Sequence, residues 1–261
     1  ETITSGKVTG LFISGVRVDE ISDEGDVIFD QSCFYAESGG QIADSGMIIA
    51  DGFKAKVLDC KKAPHKQHLH HIEVIEGSLK EGMACQLKID EARRNKIMAN
   101  HSALHLLDSA LRIVLGSHVA QAGSYVCDEY GRFDFTHFEK VTMDQLEQIE
   151  LMINEWIGAK YPVKTEILNI EEAKRTGAIA LFDEKYGDTV RVVSMGEVSK
   201  EFCGGTHVNN TQEVGMFKIV SEESIGSGIR RITVKSGLAA YLEMIEKEKT
   251  LKKISKSLKM N

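Results

Sequence analysis

From Glu91 to Leu115 the chain runs without a glycine or a proline, and Gly116 follows at once. Such a run predicts one long helix with a C-terminal cap, and it divides the sequence into a part before and a part after. Ile97, Leu104, Leu107, Leu111, Val114 and Leu115 spread apolar groups around much of its circumference, so the helix is expected to be well buried.

Ahead of it, short apolar bursts (VTGLFI, VRV, DVIF, GMIIA) alternate with Gly, Asp and Ser. Their spacing of roughly 8–12 residues marks a small antiparallel barrel or sandwich. Strict alternation in FKAKVLDC (Phe53 to Cys60) and ACQLKID (Ala84 to Asp90) supports this. Behind the helix, GSYVCD and GRFDFTH read as strands and Met143 to Lys160 as a second helix. Tyr161-Pro162 ends that helix, because proline disfavours helical geometry in the residue before it. Short helices and strands then alternate to Ser236. The tail is lysine-rich and helical, with Leu251, Ile254 and Leu258 as a narrow apolar stripe. It is too short and polar to stand alone, reads as the start of a further segment, and offers a surface for self-association. The expected fold class is α+β: a small antiparallel β-barrel over 1–90, an α+β domain over 91–237 and a helical linker over 238–261.

A chain of 261 residues suits two modest domains. Five cysteines, an odd number without a CxxC pair, fit a reduced, cytoplasmic protein better than a disulfide framework. No signal peptide is visible and no apolar run approaches the roughly 18 residues of a membrane span. The net charge of −7 argues against a protein that coats itself with nucleic acid, while local basic clusters can still hold one RNA end. A beginning at Glu1 rather than Met reads as an excised fragment or a processed product.

Two pairs carry the chemistry. In HSALH, His101 and His105 stand four apart, so a helix projects both imidazoles from one face, where they can share a metal. Ser102 occupies the place of the glutamate in an HExxH protease, so that general base is missing. In CGGTH, Cys203 and His207 flank a Gly-Gly turn that can wrap one ion. Three imidazoles and a thiolate form a sound tetrahedral zinc set; the plainer reading is two unrelated buried histidines, an inert thiol and an ordinary turn.

The strings FYAESGGQIADSG (Phe34 to Gly46), NHSALHLLDSALR, LGSHVAQAGS, RFDFTH, CGGTHV and GSGIRRI resemble, in order and spacing, the successive editing-domain motifs of alanyl-tRNA synthetases. The resemblance implies a translation-factor-like barrel followed by the editing domain shared with threonyl-tRNA synthetase, and one zinc per chain on His101, His105, Cys203 and His207. It implies that Gln121 and Ser124 line the editing pocket and that Arg230 and Arg231 lie near the tRNA end. Gln41, Gln121 and Cys203 become candidates to act on the ester, with Gly39, Gly40, Leu104 and Ser124 candidates to touch it. The implied partner is the acceptor end of alanine tRNA carrying a wrong amino acid. ATP and Mg²⁺ would belong only to an aminoacylation domain that nothing in the chain resembles. Serine differs from alanine by one hydroxyl and glycine by one methyl, differences worth only about 1–3 kcal/mol in a pocket, which is why a second, hydrolytic site is needed.

Several residues keep two readings. Gly39-Gly40-Gln41 admits a close ligand and an amide to orient water, or is a tight barrel turn. Leu104 stands where the family often carries Thr; it borders the side-chain pocket or turns into the core. Arg93, Arg94 and Lys96 hold phosphate or form an exposed first turn. The cluster PHKQHLHH (His65 to His71) reads as a solvated strand and turn, and Phe133 and Phe135 as core. Beside editing within a synthetase stand a free-standing trans-editing hydrolase, a zinc-stabilised RNA-binding module without catalysis, and an unrelated metallohydrolase.

Overall fold

The computed structural model describes residues 1–180 and 187–258. The chain forms two compact units, divided after Asn95.

In the first unit, β1 (Ile3–Ile13) is followed by β2 (Val16–Val18), β3 (Glu20–Ile21), β4 (Glu24–Phe29), β5 (Gly46–Ala50), β6 (Phe53–Lys62), β7 (His68–Glu76), β8 (Leu79–Lys80) and β9 (Ala84–Ile89). Six of them close a ring in the order β1-β4-β7-β6-β5-β9, with β9 paired back to β1. Every second residue of β4, β6 and β9 is buried over most of their length, the period-two pattern that packs one face of a pleated sheet inside a barrel. Bulges in β1, at Val8/Gly10, and in β6, at Lys54/Ala55 and Val57/Asp59, add the local bend that closure requires. Phe34, Leu11, Ile48, Ile72 and Leu87 fill the inside.

The long helix α1 (Glu91–Leu115) ends just before Gly116. Asp90 caps it: its Oδ1 accepts the Arg93 N–H at 3.0 Å, satisfying one of the donors that a helix start leaves unpaired. Arg94 pairs with Asp44, and Arg93 donates to the Ala43 carbonyl at 2.7 Å. Both arginines tie the helix start to the 43–44 loop, and Arg94 is buried there rather than in an exposed first turn.

The second unit adds β10 (Gln121–Val126), β11 (Gly131–Thr136), α2 (Met143–Gly158), β12 (Val163–Asn169), α3 (Ile170–Arg175), β13 (Thr189–Met195), β14 (Ser199–Phe202), β15 (Phe217–Gly226), β16 (Ile229–Ser236) and α4 (Gly237–Ser257). Two antiparallel sheets result, β10-β11-β16-β15 and β12-β13-β14. The architecture is α+β, as expected. A capping box starts α2, where Thr142 and Gln145 each bond the other's backbone N–H. Phe133 and Phe135 are core, at 2% and 0% exposure. Leu251 and Ile254 on α4 and Leu258 just after it are exposed, and the last three residues of the expected tail lie outside the described ones. Among the described residues no helix is long and apolar enough to cross a membrane.

Candidate metal centre

On α1, His101, His105, Asp108 and Arg112 recur at i, i+4, i+7 and i+11 and so share one stripe. Opposite them, Ser199, Glu201 and Cys203 alternate along β14 and its continuation, which puts them on a common side of the strand. The two sets meet. One donor atom from each of His101, His105, Cys203 and His207 lies within 4.8 Å of all the others. Cys203 Sγ stands 3.4 Å from His101 Nε2 and 3.2 Å from His207 Nε2. The His101 and His207 rings are 4.3 Å apart, and those of His105 and His207 4.6 Å. This arrangement can hold a metal ion, and three imidazole nitrogens with one sulfur are donors that suit zinc.

Burial sets the protonation. It lowers His101 to about 4 and pushes His105 and His207 well below the usual imidazole value, so near neutral pH all three are in the uncharged form that ligates a metal. His101 and His105 are buried while Cys203 and His207 are partly exposed, so the CGGTH side is the approachable one.

Residues without a ligand role hold His207 and the Cys203 loop. Ser102 Oγ lies 3.1 Å from His207 Nδ1 and accepts the Val208 N–H at 3.2 Å. Arg191, on β13, donates from one nitrogen to the carbonyls of Cys203 (2.8 Å) and Gly205 (2.6 Å), strapping the loop. Gly205 N–H points at Cys203 Sγ, 3.4 Å away. Glu201 Oε2 lies 3.2 Å from His105 Nδ1, in a direction that makes no hydrogen bond to it. Burial, then nearby Asp108, raises the Glu201 carboxyl well above its usual range. Of these, the sequence reading singled out the Gly-Gly turn and gave Ser102, Arg191 and Glu201 no such role. The one signal available was the polar i, i+4, i+7, i+11 stripe, which pointed beyond the two histidines to Asp108 and Arg112.

The remaining candidates separate. Gln121 and Ser124 face Phe135 and Phe133 of β11. Directly opposed residues share a sheet face, and Gly131 lies on that face too, where a Cβ would sit 3.0 Å from Leu104 Cδ2 of α1. The face therefore looks toward the helix. In a regular strand residues three apart point to opposite sides. The bulge between Gln121 and Gly123 brings Gln121 and Ser124 to the same side, and Gln121 Nε2 donates to Ser124 Oγ at 3.1 Å. Leu104 is 3% exposed and fills the space that Gly131 leaves open, which is the core placement. Arg230 pairs with Glu222, and Arg231 makes a bidentate bond to Asp134 at 2.7 and 2.9 Å. Both arginines thus pair with carboxylates of their own unit. In the first unit, Gly39 and Gly40 stand at φ 58° and 79° between Ser38 and Gln41, whose backbones bond each other at 3.0 and 3.2 Å. This two-residue hairpin turn needs two positive φ values, which glycine supplies without strain; Gln41, just after it, is fully buried.

Comparison with known proteins now decides the family. Residues 190–233, which carry β13, β14 and the CGGTH loop, match the model described as the threonyl and alanyl tRNA synthetase second additional domain. Residues 1–93, the barrel, match the model of class II (A) tRNA synthetases. The chain is 48% identical over 99% of its length to alanine–tRNA ligases of Bacillus anthracis and of Geobacillus thermodenitrificans. The chain belongs to the alanyl-tRNA synthetase family. It spans 30% of the length of these curated relatives.

Proposed function

We propose that this chain is the editing part of an alanyl-tRNA synthetase, acting in the cytoplasm to hydrolyse the ester of alanine tRNA mischarged with serine or glycine. The observation that carries the reading is the convergence of His101, His105, Cys203 and His207 within 4.8 Å, in a chain whose 190–233 segment belongs to the second additional domain. A bound zinc ion would orient the aminoacyl ester, or alternatively lower the pKa of a water. Four protein donors complete a tetrahedral shell, which favours orientation over water activation.

The residues of the chain do the rest. Gln121 and Ser124 present an amide and a hydroxyl to the substrate on the helix-facing side of the sheet. A serine hydroxyl can be told from hydrogen or methyl there, because a buried polar group left unpaired costs about 1–3 kcal/mol. Arg191 and Gly205 keep the Cys203 sulfur in place. Arg230 and Arg231 pair with carboxylates, and the net charge of the chain is −7. Binding of isolated tRNA should therefore be weak and fall steeply with salt.

The test is incubation of the zinc-loaded chain with Ser-, Gly- and Ala-tRNA(Ala), following loss of ester-linked amino acid. The first two should be deacylated and the third largely spared. Mischarged tRNA that survives no less well than in buffer would refute the proposal and leave a zinc-stabilised RNA-binding module.

A further inference from the structure

We propose that the outer wall of the barrel around β5 docks an RNA duplex: an apolar crest on β5 enters the shallow groove, and lysines on both flanks reach its phosphates. The inference deepens the RNA side of the function proposed above. It rests on reading the chain as part of a tRNA synthetase and does not depend on the hydrolysis.

Register places the residues. β5 runs between β6 and β9. Met47 stands opposite Lys56 on one side and Lys88 on the other, and Ile49 opposite Lys54 and Gln86. Directly opposed residues share a sheet face. Between them Ile48, Ala55 and Leu87 are fully buried, so that other face is the inside of the barrel and these six residues point outward. All of them are exposed except Met47, which is partly so.

Charge selects the partner. The whole chain carries −7, yet no Asp or Glu stands at an outward position of β5, of β9, or of β6 from Phe53 to Leu58. Lys54, Lys56 and Lys88 form no ion pair among the described residues, and Asp59, further along β6, is taken by Lys61 at 3.2 Å. Glu76 and Glu73 face Lys54 and Lys56 from β7 without closing a pair, and mark the edge of the basic wall. Three uncompensated cations beside exposed apolar groups fit a polyanion that also offers less polar surface.

Shape narrows it further. The outside of a barrel is convex, so the side chains of β6 and β9 splay to either side of β5, from backbones roughly 10 Å apart. An A-form duplex presents phosphates on both rims of a wide, shallow minor groove, with sugars and base edges between them. Met47 and Ile49 meet the groove floor, the Gln86 amide suits a 2′-hydroxyl, and the lysines meet the two rims. A flat anionic surface would engage one flank only.

Binding of uncharged tRNA(Ala) to the zinc-loaded chain, followed by fluorescence anisotropy from about 50 to about 200 mM salt, tests this. Replacing Lys54, Lys56 and Lys88 together by Gln should flatten the slope of log affinity against log salt by about 2.7, that is about 0.9 per lysine, and weaken low-salt binding more than about tenfold. A charge-matched control, Lys252, Lys253 and Lys256 to Gln on α4, should keep the parent's slope. Ile49→Asp, an exposed change that sets a carboxylate on the crest, should weaken binding without altering zinc content. A duplex RNA hairpin should compete with the tRNA better than a single strand of equal length. The proposal is overturned by a parent that binds no tRNA at about 50 mM salt, by a triple variant that binds as the parent does, by an equal loss in the α4 control, or by equal competition from the single strand. A triple variant with unchanged tRNA affinity that has lost a dimer seen in the parent by sedimentation would make the wall an interface between copies instead. Slope loss in a chain that hydrolyses no ester keeps the surface and sinks the editing reading; normal deacylation with unchanged binding by the triple variant does the reverse.

Discussion

The barrel and the second unit each bury histidine, and they use it in opposite ways. His70 in the barrel is 0% exposed. Its Nδ1 bonds the Val27 carbonyl at 3.1 Å, its Nε2 meets Ser32 Oγ at 2.7 Å, and Phe29 and Phe34 stand edge-on to its ring. Both nitrogens are consumed inside the fold. His101, His105 and His207 are also buried, but each turns a nitrogen toward one shared point beside Cys203. Burial lowers His70 and His101 alike, to about 4. A depressed imidazole pKa therefore reports burial; the direction of the second nitrogen is what separates a core histidine from a ligand.

The largest effect that can break this comparison is metal removal. Structural zinc contributes on the order of 10–16 kcal/mol to small folds. The proposed ion would join α1 to the β14 loop. Chelation, or Cys203→Ala, should therefore lower the melting temperature of the second unit sharply and leave the barrel transition in place. Calorimetry of loaded and stripped chain gives the answer. If both transitions survive chelation while ester hydrolysis stops, the ion serves function more than fold.

His70 makes the next prediction. Its folded pKa of about 4 lies below the ordinary 6.5, so the unfolded chain binds the extra proton first as pH falls. Stability from this group is complete above pH 6.5, is lost progressively as pH falls toward 4, and amounts to about 3 kcal/mol. Urea titrations across that window should show the loss, and His70→Gln should flatten it in the barrel transition. An unchanged slope in the variant would mean that other groups dominate the acid limb.

Much of this was legible in the sequence, for physical reasons that also explain what was not. A run without Gly or Pro, and apolar residues at period two, are local patterns; α1 and β9 end within a residue of where those patterns end. The ligand pairs were readable because each is local too, four residues apart on a helix or across a short loop. Arg191 and Ser102 were hidden, because their roles depend on contacts between segments far apart in the chain. His70 was misread for the same reason: a run of histidines and lysines looks solvated until the strand's alternation turns one member inward. The partners of Arg230 and Arg231 were hidden likewise, because charge is visible in a sequence and its pairing with Glu222 and Asp134 is not.

Leu104 gives a smaller effect that sharpens the line between core and site. Its Cδ2 lies where Gly131 offers no side chain. Leu104→Thr would leave a void and bury a hydroxyl, at a cost of about 2–3 kcal/mol. The expected result is a less stable second unit with the ratio of seryl- to alanyl-tRNA hydrolysis unchanged. A ratio altered several-fold at full stability would move Leu104 from the core to the pocket wall.

The smallest expected effect tests the pocket itself. The β10 bulge turns Gln121 and Ser124 to one side, where the amide donates to the hydroxyl at 3.1 Å. That bond leaves the Ser124 O–H proton available to another acceptor. If the pair reads a serine side chain, Ser124→Ala removes a group that can bond the substrate hydroxyl and releases the Gln121 amide from its present direction. One such bond is worth about 1 kcal/mol, or about fivefold in rate. Hydrolysis of Ser-tRNA(Ala) should fall by about that factor relative to Gly-tRNA(Ala), because glycine offers no hydroxyl to lose. Zinc content should stay the same, since neither residue belongs to the donor set. Equal losses on both substrates would assign the pair to holding the bulge, and recognition of the serine hydroxyl would then pass to the metal side of the site.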